Sequence, residues 1–93
     1  MEKILFRLLI QGEPIMDMKN INTFIYTAEL GSFTKAAELL GYSQSTVSFQ
    51  IRQLEEELGT VLFERINRTV TLTDRGKEIL RYAHRMKQLA GEM

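Results

Sequence analysis

Apolar side chains recur along this chain at two periods, and the change of period divides it. Ile21, Phe24, Ile25 and Ala28 fall at i, i+3, i+4 and i+7, the stripe of an amphipathic helix. With Asp17 near its start and Gly31 at its end, the spacing predicts a helix over 19–30. Ser32 is placed to cap a second helix, whose stripe is Phe33, Ala36, Ala37 and Leu40. Gly41 and Tyr42 make a turn. Ser43 then caps a third helix that ends at Leu58, with Gly59 as its stop and Val47, Ile51, Leu54 and Leu58 on one face. From here the period shortens. The β-prone runs 61–66 and 69–73, on either side of Asn67-Arg68, read as a small hairpin. Thr73 or Asp74 opens a last helix, about 75–89, with Ile79, Ala83, Met86 and Ala90 on one face and Leu80 and Leu89 beside them.

Within this order, Ala37, Gly41 and Val47 have the spacing of a helix-turn-helix. Two short helices cross closely only where a small residue sits at the crossing, and the tight turn favours a residue that tolerates positive φ. The third helix then has a free face. Opposite Val47, Ile51, Leu54 and Leu58 lie Ser45, Ser48, Phe49, Arg52 and Gln53, counted at about 100° per residue. In a major groove Gln suits adenine, Arg suits guanine, Ser adapts, and Phe suits a thymine methyl. Ser43, Gln44, Ser45 and Thr46 open the helix, where unpaired backbone N–H groups favour a phosphate. Serine and threonine are moderate helix formers, so their concentration here gains nothing for the helix or the core.

The stretch 36–76 resembles the N-terminal DNA-binding domain of LysR-type transcriptional regulators. The matching positions are Ala36-Ala37, Leu40, Ser43-Gln44, Ser48, Ile51, Leu54-Glu55, Leu58-Gly59, Leu62-Phe63, Arg65, Leu72-Thr73 and Gly76. The resemblance implies a mainly α fold: a winged helix-turn-helix, with a three-helix core and a β-hairpin wing, followed by a C-terminal linker helix. It divides the chain into an extension outside the match (1–15), the winged domain (16–73) and the linker helix (74–93). It also implies that Gln44, Ser45, Ser48 and Arg52 face DNA. Phe49 departs from the family, many members of which carry a basic residue there. That departure suggests an apolar base contact or packing against a partner. In the family the last helix pairs with a second subunit, which here implies a homodimer through Ile79, Leu80, Ala83, Met86 and Ala90, reading an interrupted dyad in double-stranded DNA. The large effector-binding domain that follows in family members is absent from these residues. No cofactor or metal is implied.

Charge alters the picture only when it is read locally. The 93 residues carry 12 basic and 12 acidic side chains, a net charge of zero that by itself says nothing for DNA. Between Arg65 and Lys87, however, seven basic residues face two acidic ones. Arg65 and Arg68 bracket the hairpin turn, where a wing lies beside the duplex backbone. Thr34 and Lys35, in the first turn of the second helix, are further backbone candidates. The acidic run Glu55-Glu56-Glu57 lies at the far end of the third helix. An enzyme is disfavoured: there is one histidine (His84), no cysteine, no Gly-rich phosphate loop, and three carboxylates too close in sequence to converge. The rival reading is a winged helix used only for protein contacts, which an exposed Phe49 and zero net charge would also suit. Absence of cysteine fits a reducing cytoplasm. Lys3 followed by Ile4-Leu5-Phe6 and Leu8-Leu9-Ile10 hints at a signal peptide, but Arg7 interrupts the run and no small-residue cleavage site follows. The segment reads instead as a short helix or a lead-in.

Overall fold

A computed structural model describes residues 17–66 and 69–91. Residues 1–16, which include the lead-in 1–15, and residues 67–68 and 92–93 lie outside the described residues. Helices α1 (Met18–Leu30), α2 (Phe33–Leu40) and α3 (Gln44–Leu58) precede strands β1 (Phe63–Ile66) and β2 (Thr69–Leu72), and α4 (Asp74–Gly91) closes the order.

The three helices begin and stop where their caps dictate. The Asp17 carboxylate accepts from Lys19 N at 2.9 Å, Ser32 Oγ from Lys35 N at 3.1 Å, and Ser43 Oγ from Thr46 N at 3.1 Å. The turn between α2 and α3 runs through Gly41 at φ 76°, in the left-handed region that a Cβ makes costly. Only Gly41, Tyr42 and Ser43 separate the two helices.

The core gathers Ile21, Phe24 and Ile25 of α1, Phe33, Ala36 and Ala37 of α2, and Val47, Ile51 and Leu54 of α3. Leu62, Phe63 and Ala83 complete it. Phe63 is the wing's anchor. Its ring meets Phe24 edge-on at 5.5 Å between centroids and Phe33 at 5.7 Å. Such pairs contribute about 0.5–1.5 kcal/mol each beyond area burial. A two-stranded hairpin is marginal by itself. This one is antiparallel, in the register Phe63↔Leu72 to Ile66↔Thr69, and only Phe63 of its described residues is fully buried.

α1 also buries a polar row. Asn20, Thr23 and Thr27 are all inaccessible, and their groups are satisfied. Asn20 Nδ2 donates to Gln53 Oε1 at 3.1 Å, Thr23 Oγ1 donates to Gln50 Oε1, and Thr27 Oγ1 donates to Thr23 O at 2.7 Å. The α1–α3 contact therefore has an apolar side and a hydrogen-bonded side.

Thr73 fixes α4 to the wing and settles which residue opens the helix. Its Oγ1 accepts from Gly76 N at 2.9 Å and donates to Val61 O at 2.7 Å, while its own N–H donates to Leu62 O at 3.0 Å. Gly76 is buried against Leu62, just before β1, and a Cβ there would run into the Leu62 carbonyl oxygen.

α4 corrects one expectation. The stripe assigned to a partner subunit is largely used inside the domain: Ala83 is buried in the core, and Ile79, Leu80 and Met86 are half-buried against it. α4 lies across α1 closely enough to cover its own stripe, with Lys87 Nζ 4.5 Å above the Tyr26 ring. Ala83 is thus a core residue. Ala90 remains exposed, and so do Tyr82 and Leu89.

Candidate nucleic-acid interface

The helical period of α3 separates its residues into an anchored face and a projecting one. Val47, Ile51 and Leu54 are buried, whereas Ser45, Phe49, Arg52 and Gln53 are exposed and Ser48 is half-buried. The predicted outward set is therefore on one surface, but its members are not equally available. Gln44 Oε1 accepts from Thr34 Oγ1 at 3.3 Å. Gln53 is exposed on the same face but turns its amide oxygen to Asn20 of α1, so that part of its side chain ties α1 to α3. Ser43 Oγ lies 3.1 Å from Ser45 Oγ and 2.9 Å from Thr46 Oγ1, a hydroxyl cluster gathered on the cap. Arg52 has no hydrogen bond or ion pair with another described residue.

A second part of the surface comes from three elements at once. Gly31, Ser32, Phe33 and Thr34 at the start of α2, Gln44 at the start of α3, and Arg65 and Val70 of the wing line one open notch. The Arg65 guanidinium lies 4.6 Å above the Phe33 ring, a cation–π contact that holds it beside the α2 N-terminus. There, backbone N–H groups and the helix dipole favour an anion, and Arg65 adds a full positive charge. Lys35 is exposed in the same first turn. Arg68 lies outside the described residues. The sequence had placed Thr34, Lys35 and Arg65 as separate backbone candidates. Thr34 and Arg65 meet Gln44 in the notch, which Lys35 does not line, and the Phe33–Phe63 contact that ties the wing to α2 has no local signature.

The acidic run at the other end of α3 is turned partly to structure. Glu55 Oε2 accepts from Leu62 N at 2.8 Å and so fastens the approach to β1. Glu56 stays exposed at the C-terminal end of the helix, away from the notch at its N-terminus. Among the described residues no helix is long and apolar enough to cross a membrane.

Comparison with known proteins agrees with this arrangement. The description "Bacterial regulatory helix-turn-helix protein, lysR family" matches residues 18–77, a span that runs from the first turn of α1 into α4. The chain belongs to the LysR family. The uncharacterized HTH-type transcriptional regulator YwqM of Bacillus subtilis (strain 168) is 46% identical over 77 residues, 83% of this chain and 26% of YwqM. The RuBisCO operon transcriptional regulator of Allochromatium vinosum is 41% identical over 78 residues, 84% of this chain and 26% of that protein. The chain thus spans about a quarter of the length of these curated relatives. Among solved structures, the CbnR_DBD–DNA complex superposes with a TM-score of 0.79 at 39% identity, covering 83% of this chain and 88% of that one. BenM_DBD with catB site 1 DNA gives 0.80 at 38%, covering 84% and 87%. The winged helix-turn-helix expected from the sequence is the fold of this LysR-family domain, with the wing and the fourth helix where the pattern put them.

Proposed function

We propose that this LysR-family domain binds double-stranded DNA sequence-specifically, with α3 in the major groove and the wing along the backbone. The observation that carries the reading is the pairing of two surfaces on one side of the molecule. The outward face of α3 offers Ser48, Phe49 and Arg52 to base edges, and the notch of Thr34, Gln44 and Arg65 beside it suits a phosphate. Membership in the family and the DNA complexes solved for CbnR and BenM support it. The domain acts as a regulator of transcription in the cytoplasm rather than as an enzyme, in keeping with the regulators it resembles. It works as a homodimer on an interrupted dyad. Because Ala83 is core, the dimer surface is the outer side of α4, with Tyr82, Leu89 and Ala90 and the accessible edges of Ile79, Leu80 and Met86.

Binding to labelled duplexes over a range of salt concentrations tests the reading. The domain should shift DNA with a steep salt dependence, and Arg65→Ala should flatten the slope of log affinity against log salt by roughly one unit. A winged helix used only for protein contacts would give no salt-dependent shift, and that result overturns the proposal. Affinity unchanged by Arg65→Ala at low salt removes the notch from the interface.

A further inference from the structure

The base-reading surface of α3 narrows once the domain is folded. Its three glutamines are engaged by other elements: Gln44 by Thr34, Gln50 by Thr23 and Gln53 by Asn20. Ser45 is drawn toward the Ser43 cap. What projects from the middle of the face is Phe49, with Ser45 one turn before it and Arg52 one turn after. Its side chain is 59% exposed, lies outside the core cluster and makes no ring contact with another described residue. A single exposed apolar residue is ordinary on a protein surface. An unpacked phenyl ring at the centre of the face turned to the bases is a different matter, because it must meet whatever that face binds.

A phenyl ring neither donates nor accepts a conventional hydrogen bond. It cannot read the pattern of donors and acceptors that distinguishes base pairs in the major groove. The one apolar feature on those edges is the C5-methyl group of thymine, which cytosine lacks. The same group, on the same ring carbon and projecting into the same groove, is carried by 5-methylcytosine. Resting on the DNA-binding reading above, we propose that Phe49 makes this domain a reader of C5-methyl pyrimidines. At one position of each half-site it selects a pyrimidine bearing that methyl, whether thymine or 5-methylcytosine. Arg52, one turn away, keeps the polar part of the readout.

The test begins with a duplex selected by this chain from random sequences, in which thymines are replaced one at a time by deoxyuridine. That exchange removes the methyl and leaves every hydrogen-bonding group in place. One position per half-site should lose about fourfold in affinity, the equivalent of one buried methyl-sized group. Phe49→Ala, at an exposed site that leaves the fold intact by circular dichroism, should be indifferent to uracil there. Phe49→Leu should keep a penalty. At the same position a cytosine–guanine pair should bind more tightly when the cytosine is C5-methylated, and again only with Phe49 or Leu present. Uracil tolerated at every position by a domain that still binds the selected duplex overturns the proposal and assigns Phe49 to a protein partner. So does a uracil penalty that survives Phe49→Ala. Failure to select any duplex overturns the DNA-binding reading itself, an outcome distinct from both.

Discussion

At position 52 a guanidinium stands on the outer face of α3 without a hydrogen bond or ion pair to another described residue. A cation left so is hydrated in the free domain and gains two directed bonds when it meets the O6 and N7 of a guanine. Ser48 sits four residues earlier on the same face, half-buried, so its hydroxyl has a short and fixed reach. These two should discriminate among sequences rather than raise affinity in general. Arg52→Ala is expected to weaken binding to the selected duplex by about 1–3 kcal/mol and binding to random DNA by much less. Ser48→Ala should do the same on a smaller scale. Titrations of each variant against both duplexes check this, and equal losses on the two would move both residues to backbone positioning. Arg52 and Ser48 were legible in the sequence because a helical face follows from spacing alone. The tethering of Gln53 was not, since its partner Asn20 lies 33 residues away. A trace of it was nevertheless present: Asn20, Thr23 and Thr27 on one helix and Gln50 and Gln53 on another each keep helical spacing, which is how a polar seam between helices appears in one dimension.

Among the elements, the junction between wing and α4 concentrates the most structure in the fewest residues. One Thr73 hydroxyl closes β2, caps α4 and reaches back to Val61. Thr73→Val keeps the shape but removes both side-chain bonds, leaving the Gly76 N–H and one acceptor at Val61 without their partner. The loss should be about 1–2 kcal/mol, read as a lower midpoint in guanidinium chloride denaturation, and Thr73→Ser should recover most of it. If Thr73→Val is as stable as the parent, the cap contributes nothing to stability. Caps of this kind were readable beforehand. Ser32 and Ser43 answer to backbone groups three residues on, and Gly41 and Gly59 mark stops within the same turn, so helix ends are local facts. At Thr73 the sequence left Asp74 as an equal candidate. The bond from Gly76 N to Thr73 Oγ1 decides between them, and the added tie to Val61 lies across the hairpin.

For the whole molecule, the division of α4 into an inner and an outer side decides what association can use. Ala83→Glu would bury a carboxylate in the core, and the domain should unfold. Tyr82→Glu combined with Leu89→Glu changes only exposed positions, so the domain should stay folded yet become monomeric and lose affinity for a two-half-site duplex more than for a single half-site. Sedimentation with circular dichroism separates these outcomes. A double variant that remains a folded dimer places the interface on another surface. The sequence showed the α4 stripe but not its owner: apolar spacing tells that a face is covered and is silent on whether the covering helix belongs to the same chain. The weld at Thr73 has a further consequence at this scale. At 1.5 Å per residue the helix is a rod about 27 Å long. Its base is bonded into the hairpin, with no loop to absorb a rotation. The same rod is seated along α1 through Ala83, so hairpin, α4 and α1 form one stiff frame, and the distance between the Arg65 notch and the C-terminal end of the rod is set by that frame.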